Sequence, residues 1–223
     1  MLDEQATARI DLAKQRLRAR LLARRRTALA ALTAGGAGTG AGAGAGAGDV
    51  GGLAPRILAL PEVARATCVA AYVGLPGEPE LGDLLDRLLA AGTQVLLPAL
   101  RTDLDLDFRT YLGTLVPGAL GTREPPSAAP VGDLGLAGVV IVPALAVDRR
   151  GRRLGRGGGS YDRALVRVAA QATVIAVVHD QELLDHVPTA PHDRGVHLVV
   201  TPSRILHCGP DGVTGEHPEP STG

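Results

Sequence analysis

The stretch from Val139 to Arg163 constrains the fold of this chain more than any other. It opens with the β-branched and aliphatic run Val139–Pro143, which is typical of a buried strand. A loop then leads to the glycine-rich turn Gly155–Gly159, and a helical pattern begins at Ser160. Glycines let the backbone come close to a ligand, and unpaired backbone amides around such a turn can face an anion. A strand, a glycine-rich turn and a helix in this order therefore predict a phosphate-binding site.

Two common phosphate motifs do not match this turn. No Gly-Lys-Ser/Thr sequence follows the glycines, which excludes a Walker A loop, and the glycine spacing differs from the dinucleotide fingerprint. The glycines alone are equally typical of a plain flexible turn, and that alternative stays open. The neighbouring Arg152, Arg153 and Arg156 and the triplet Tyr161-Asp162-Arg163 favour a binding site instead.

The pattern of apolar runs predicts the fold class. Runs typical of buried strands are separated by helical patterns such as Leu81–Ala91. The predicted strands are Thr67–Val73, Gln94–Leu97, Val139–Pro143, Thr173–Val178 and Val196–Thr201. This alternation predicts an α/β fold: a single three-layer domain with a mostly parallel sheet of about five or six strands flanked by helices.

Composition divides the chain into four segments. Residues 1–33 are predicted to form an N-terminal helix that belongs to the catalytic domain. Residues 34–52 are almost pure Ala and Gly, cannot bury a core and are expected to form a disordered linker. Residues 53–206 are expected to form the main α/β body, and the polar, Pro- and Gly-rich residues 207–223 a disordered tail.

Charge and cysteine content narrow the classes of function. The chain has 23 basic and 23 acidic residues and 2% aromatic residues, so nucleic-acid binding and attraction to an acidic membrane are not expected. Cys68 and Cys208 lie far apart without metal-like spacing, which favours a reducing cytoplasm over a disulfide framework. No apolar run approaches the roughly 18 residues of a membrane-spanning helix. We expect a cytoplasmic protein and a monomer.

The segment Arg153–Arg163 (RLGRGGGSYDR) resembles the signature of the 5-formyltetrahydrofolate cyclo-ligase family, also called methenyltetrahydrofolate synthetases. The lead-in Val142–Asp148 is similar to the segment that precedes the signature there. Lys14-Gln15-Arg16-Leu17-Arg18 resembles the family's N-terminal Lys-x-x-Leu-Arg motif, and Lys14 is the only lysine in a chain that otherwise uses arginine. The resemblance spans roughly residues 14–201, apart from the Gly-Ala segment.

The resemblance implies ATP-dependent cyclisation of 5-formyltetrahydrofolate to 5,10-methenyltetrahydrofolate, with ATP and Mg²⁺ as cofactors and ADP and phosphate as products. It implies catalytic roles for Arg153 and Tyr161, and a metal site at Asp162 and Asp193, whose oxygens suit Mg²⁺. The nucleotide-binding residues that it implies are Lys14, Gln15, Arg16, Leu17, Arg18, Arg153, Leu154, Gly155, Arg156, Gly157, Gly158, Gly159, Ser160 and Tyr161. The implied folate-binding residues are Glu78, Phe108, Tyr111 and Tyr161.

Several of these residues also have a plainer interpretation. Glu78 stands close to a predicted helix start, where a negative charge is favourable in itself. Phe108 and Tyr111 could be two rings packed in a β-hairpin. Ser160 stands where the family usually has an aromatic residue, which puts the folate contact in question more than the nucleotide contact.

The sequence is also compatible with two rival functions. A sugar-phosphate isomerase or acyl-transfer enzyme on a similar sheet could use the glycine turn for the phosphate of its substrate. A non-catalytic relative could bind nucleotide or folate as a sensor. Asp162 and Asp193 argue against the second rival, and binding of Mg-ATP would argue against the first.

Overall fold

A computed structural model describes residues 2–35, 52–209 and 212–217 of the chain. The first helix is much the longest and corresponds to the predicted N-terminal helix. The α-helices are α1 (Leu2–Gly35), α2 (Leu53–Leu58), α3 (Pro61–Ala64), α4 (Gly82–Ala90) and α5 (Ser160–Leu165). Three short 3-10 turns occupy Ala119–Gly121, Leu134–Leu136 and Asp180–Glu182.

The strands are short, and the longest of them, β2, has seven residues. In chain order they are β1 (Cys68–Ala70), β2 (Gln94–Leu100), β3 (Leu106–Thr110), β4 (Val116–Pro117), β5 (Arg123–Glu124), β6 (Val139–Pro143), β7 (Ala146–Asp148), β8 (Arg153–Leu154), β9 (Thr173–Val177), β10 (Leu183–Leu184), β11 (Leu198–Val200), β12 (Ile205–Gly209) and β13 (Gly212–His217).

The main sheet has eight strands in the order β13-β12-β11-β9-β6-β1-β2-β3. Its five central strands, from β11 to β2, are parallel. Strand β3 on one edge and strands β12 and β13 on the other pair antiparallel. The predicted mostly parallel sheet is confirmed. The sheet has eight strands rather than the expected five or six, because the prediction did not include the antiparallel edge strands.

Each face of the sheet is covered, as a three-layer domain requires. Successive residues of a strand point to opposite faces, so Val69 and Ile141 join the core beneath α2 and α4. Ala70 and Val140 join the other core, against α5. Strands buried on both faces explain the continuous apolar runs in the sequence.

Helix α1 packs outside these two layers. Its Leu21 is buried against Leu145, Leu154 and Val187, beside the small sheet formed by β10, β7 and β8. This contact fixes the helix next to the segment that carries the glycine-rich turn. Among the described residues, no helix is long and apolar enough to cross a membrane.

The predicted tail starts too early. Strand β12 extends to Gly209, and Gly212–His217 pairs with it as β13, so a disordered segment from 207 is wrong for these residues. The physical reason is that β12 pairs with β11 on one side only. The backbone N–H and C=O groups on its other side are free to pair with β13. The last part of the predicted tail, and residues 36–51 of the predicted linker, lie outside the described residues.

Candidate active site

The topology of the sheet places a crevice at one position. Counted along the chain, the five parallel strands lie in the spatial order 2-1-3-4-5, so the direction of winding reverses between β1 and β6. Ligands of open α/β sheets bind beyond the carboxyl ends of the strands at such a switch point. A cleft of about 780 Å³ opens there and is lined by Tyr72 and Val73 after β1 and by Pro143 and Ala144 at the end of β6. Its volume is in the range of small-molecule sites.

The glycine-rich turn forms one wall of this cleft. It runs from the end of β8 to the start of α5, and residues from Gly155 to Ser160 line the cavity. Gly157 and Gly159 have φ values of 109° and 68°, in the region that favours glycine. A Cβ on Gly159 would lie 2.9 Å from Nη1 at the flexible end of Arg163, so backbone conformation opposes a larger residue more than packing does. The turn thus presents its backbone to the cleft.

Two cations reach the cleft from α1. Lys14 is buried and its Nζ lies 2.5 Å from Oδ2 of Asp193, a residue far along the chain. Arg18 is one helical turn further on and donates from Nε to the carbonyl oxygen of Gly155 at 2.9 Å. The first contact brings an acidic residue of the opposite wall to the lysine, and the second ties the glycine turn to the helix.

Two more cations belong to the signature segment itself. Arg153 is buried and donates from Nη2 to Oδ1 of Asp162 at 2.6 Å. Arg156 is more exposed and donates from Nε to Oε1 of Glu78 at 2.8 Å. Charge-assisted hydrogen bonds of this kind are among the stronger ones in proteins. Each of these basic side chains therefore faces a carboxylate across or within the cleft.

The cleft also contains phenol groups that remain neutral at physiological pH. Tyr161 is half-buried and Tyr72 is fully buried, and both line the cavity. Burial raises the pKa of Tyr161 well above its ordinary value of 10.0, and the charge of Glu78 adds to the effect. Burial likewise raises the pKa of Tyr72. These hydroxyls can therefore donate or accept hydrogen bonds without carrying charge.

The structure brings together most of the signature residues but not all predicted ligand contacts. Gln15 and Arg16 are exposed on the outward side of α1, because a helical period of 3.6 turns them away from Lys14 and Arg18. Leu17 and Leu154 pack into the core cluster around Leu21. None of these four side chains lines the cleft, and no contact between their side chains and a ligand is proposed.

The two predicted folate-contacting rings are also core residues. Phe108 is buried in the core on the α5 side of the sheet. Tyr111 is buried in the other core and donates from its hydroxyl to Oδ1 of Asp86 at 2.9 Å. Neither ring lines the cleft, because strands β2 and β3 turn these side chains onto the two faces of the sheet. The hairpin interpretation, which the sequence left open, describes them correctly.

The sequence interpretation missed a buried charged cluster behind the cleft. Arg25 and Glu182 are both buried and form a bidentate pair, with Nε–Oε1 and Nη2–Oε2 distances of 2.6 and 2.7 Å. Arg25 follows Lys14, Arg18 and Leu21 on one face of α1, at spacings of four, three and four residues. That spacing was visible in the sequence, but the many other arginines of the helix concealed it.

The carboxylates of the cleft could hold a magnesium ion only together with other ligands. Among residues 2–35, 52–209 and 212–217, no group of three or more His, Cys, Asp or Glu side chains is arranged to hold a metal. Asp162 shares Oδ1 with Arg153, and Asp193 shares Oδ2 with Lys14 and with the backbone amide of Ala190. Mg²⁺ commonly uses one or two carboxylates together with phosphate oxygens and water. The cleft therefore fits a magnesium ion that is bound partly by the phosphates of a ligand.

Fold and site together define an α/β protein with a cation-lined cleft and a glycine-rich turn at the switch point of its sheet. The model of the 5-formyltetrahydrofolate cyclo-ligase family matches residues 11–202. The chain belongs to the 5-formyltetrahydrofolate cyclo-ligase family, and the resemblance seen in the sequence is confirmed.

Individual relatives agree with this assignment. The chain is 52% identical over 143 residues to the 5-formyltetrahydrofolate cyclo-ligase of Mycolicibacterium smegmatis, covering 61% of this chain and 74% of that protein. It is 34% identical over 158 residues to the Escherichia coli enzyme of the same name, covering 68% of this chain and 87% of the relative. The NMR structure of the Aquifex aeolicus 5,10-methenyltetrahydrofolate synthetase shares the fold, with a TM-score of 0.67, 24% identity and coverage of 92% and 96% of the two chains.

Proposed function

We propose that this protein is an ATP-dependent 5-formyltetrahydrofolate cyclo-ligase that forms 5,10-methenyltetrahydrofolate, ADP and phosphate. Membership of the family supports the reaction. The observation that carries the proposal in the structure is the pairing of a glycine-rich turn with Lys14, Arg18, Arg153 and Arg156 around one cleft. A polyphosphate needs several donors and positive charges in one place, and this cleft supplies them.

The chemistry consists of two displacements. The formyl oxygen of the substrate attacks the γ-phosphoryl group of ATP, and the bond to ADP breaks. A neighbouring amine of the folate then attacks the activated formyl carbon, and phosphate leaves as the ring closes. In phosphoryl transfer the protein contributes mainly position and charge neutralisation.

The residues of the cleft suit these two contributions. The backbone of Gly155–Gly159 lines the place for the phosphates, and Lys14 reaches it from α1. Arg153 is held by Asp162 at a fixed position, so it can neutralise charge that develops on the transferred group without moving far. We assign the catalytic contact to Arg153 for this reason.

The folate side of the cleft is assigned to Glu78 and Tyr161. Glu78 is buried, with Oε2 accepting from the backbone amide of Leu75 at 3.0 Å, and so offers a carboxylate in a fixed orientation. Tyr161 supplies a neutral hydroxyl in the same cavity. We propose that they bind the polar groups of the folate ring beside the reacting formyl group.

Mg²⁺ is proposed as the second cofactor. When bound it would neutralise phosphate charge, and Asp162 and Asp193 would hold it through carboxylate oxygens together with the nucleotide. Both residues line the cleft. The predicted rivals are less well supported, because a phosphate monoester requires fewer cations and the family assignment favours the ligase.

We further propose a monomer that works in the cytoplasm without binding nucleic acid. Both cysteines are unpaired, which suits a reducing compartment. The formal net charge of zero supports the absence of nucleic-acid binding.

The test is a spectroscopic assay of the methenyl product. Purified protein is mixed with 5-formyltetrahydrofolate, ATP and Mg²⁺, and the absorbance of 5,10-methenyltetrahydrofolate is followed, with ATP omitted as the control. Product that depends on ATP supports the proposal. Absence of product, together with a melting temperature raised by Mg-ATP, would retain the nucleotide site and reject the folate reaction.

The metal assignment has its own variant. Asp162→Asn should abolish turnover, because one carboxylate for Mg²⁺ is lost while the amide oxygen can still accept from Arg153. Circular dichroism should show an intact fold. Near-normal activity in this variant would refute the metal role of Asp162.

A further inference from the structure

Arg25 is a buried charged residue of α1 that does not line the cleft. Its side chain is 6% exposed. Beyond the bidentate pair with Glu182, its Nη2 donates to the carbonyl oxygen of Ala144 at 2.7 Å. Ala144 lines the cleft directly after β6. Arg25 thus joins α1 to the rear of the site.

Glu182 is held as firmly as Arg25. Its side chain is 4% exposed, and Oε2 also accepts from the backbone amide of His179 at 3.0 Å, which caps the 3-10 turn Asp180–Glu182. His179 in turn contacts the carbonyl oxygen of Gly77 through Nε2 at 3.2 Å. The pair is therefore anchored to the end of β9 and to the loop that carries Glu78.

Glu78 lies between two arginines from different elements. Its Oε1 accepts from Nε of Arg156 at 2.8 Å, and Nη1 of Arg25 lies 3.6 Å from the same oxygen. The Arg156 side chain is 41% exposed, whereas those of Arg25 and Glu78 are 6% and 5% exposed. Arg156 can therefore turn away from Glu78 much more easily than Arg25 can.

One donor of Arg25 remains unused. Among the described residues, Nη1 of Arg25 is buried and has no hydrogen-bond partner. A buried donor without a partner is unfavourable, and native proteins leave few of them. Oε1 of Glu78 lies 3.6 Å from this donor, just beyond hydrogen-bond distance.

We propose that Arg25 is a positioning residue: it holds Glu78 in the cleft, and its free N–H group receives Glu78 when bound phosphate draws Arg156 away. The inference rests on the proposed function, in which Glu78 binds the folate and Arg156 the phosphates. In the absence of Arg25, a Glu78 side chain released by Arg156 would be buried without a counter-charge. Binding of nucleotide and orientation of the folate-binding carboxylate are thereby linked through one buried guanidinium.

The first test is the change in two Michaelis constants in Arg25→Met. We expect the KM for 5-formyltetrahydrofolate to rise about tenfold, which corresponds to the loss of one charge-assisted contact at the folate site. The KM for ATP should rise less, by about two- to threefold, because the phosphates must then draw Arg156 away from a Glu78 that has no second counter-charge. Arg25→Lys retains the charge and should recover part of the folate affinity.

A double-mutant cycle separates positioning from general stability. If Arg25 acts through Glu78, Arg25→Met should have no further effect on the folate KM in a Glu78→Gln background. Should Arg25→Met fail to fold because Glu182 is left buried and unpaired, Arg25→Met combined with Glu182→Gln removes both charges and replaces it in the cycle. Additive effects of Arg25 and Glu78 on the folate KM would overturn the proposal.

Arg152→Met is the matched control. Arg152 donates from Nε to Oδ2 of the fully buried Asp148 at 2.6 Å, and it does not line the cleft. It should lower the melting temperature without changing the ratio of the two KM values. An equal change of both KM values in Arg25→Met would contradict the role of Arg25, whereas a wild-type protein that forms no methenyl product would contradict the proposed function itself.

Discussion

The two sides of helix α1 carry the same kinds of residue and differ completely in environment. On the inward side, Lys14, Arg18 and Arg25 contact residues from distant parts of the chain. On the outward side, the side chains of Arg16, Arg20 and Arg24 are exposed. The sequence shows one basic helix, but the structure shows one face packed against the protein and one face exposed to solvent.

This difference shows that the number of charges on a helix says little about function. A surface cation contributes between zero and about 1 kcal/mol through an ion pair, whereas a buried one must be matched by a specific carboxylate or carbonyl. The inward side meets that condition through Asp193, Gly155 and Glu182. Substitutions on the two sides should therefore have very different effects.

The largest effect is expected for Lys14→Met. It removes a cation from the cleft and leaves Asp193, whose side chain is 11% exposed, without its partner. We expect kcat/KM for ATP to fall about 100-fold and the free energy of unfolding to fall by about 3 kcal/mol. Steady-state kinetics and urea denaturation measure the two effects. Lys14→Arg is the control that retains the charge. An unchanged affinity for ATP in Lys14→Met would contradict the conclusion that the inward side of α1 takes part in binding.

A second, smaller effect concerns acid stability. Burial opposes ionisation of Asp193, but the hydrogen bonds from Lys14 and from the amide of Ala190 outweigh it and hold the pKa below its ordinary value of 3.8. A carboxyl group with a lowered pKa in the folded state stabilises the fold above pH 3.8 and loses that contribution as the pH falls through the folded-state pKa. Between about pH 5 and pH 2.5, the free energy of unfolding of Asp193→Asn should therefore fall less than that of the wild type, as measured by urea denaturation at each pH.

Asp180 provides the control for this measurement. Its pKa is also lowered, against the effect of burial, by hydrogen bonds from Ser203 and Thr201, and Lys14 takes no part in them. In a Lys14→Met background the acid-dependent contribution of Asp193 should shrink, whereas that of Asp180 should not. Equal changes for the two carboxylates would show that the Lys14 contact is not the cause.

A moderate effect is expected for Arg18→Gln. The substitution removes the donor that ties the carbonyl of Gly155 to α1, and the loss of one such hydrogen bond costs about 1 kcal/mol. We expect the KM for ATP to rise about fivefold, with a small change in melting temperature. A KM that rises for folate but not for ATP would argue against a role of Arg18 at the glycine turn.

The smallest effect is expected on the outward side. Replacement of Arg16, Arg20 and Arg24 by Gln should change the free energy of unfolding by less than about 0.5 kcal/mol per residue. Turnover should remain within about twofold of the wild type, because these side chains do not line the cleft. A marked loss of ATP affinity in the triple variant would erase the distinction between the two sides of α1.

The central elements of the fold could be predicted because their signals are local. Val139–Pro143 was predicted and observed with the same bounds, and the strand predicted from Thr173 ends one residue earlier than expected. The antiparallel edge strand β3 and the hairpin of β12 and β13 were harder to recognise. Edge strands depend on pairing with distant neighbours, and their own composition is polar or mixed.

The candidate site could be predicted in part for a similar reason. The glycine turn and its arginines form one continuous segment, so their proximity follows from the sequence. The sequence left open whether Phe108 and Tyr111 contact a ligand or pack in a hairpin, since the face of a strand to which a side chain points depends on register and sheet assembly. The pairing of Arg25 could not be predicted because its partner Glu182 is 157 residues away.

By itself, the sequence determined the α/β class, the glycine-rich turn and the family resemblance, since all three depend on patterns within short segments. Only the tertiary structure decided which cations of α1 face the cleft and which carboxylates neutralise them. The physical reason is that cations on one side of the helix are removed from water, whereas those on the other side remain solvated. A buried charge is unfavourable unless it is paired, so each buried cation of α1 requires a particular partner. In this protein those partners come from remote parts of the chain.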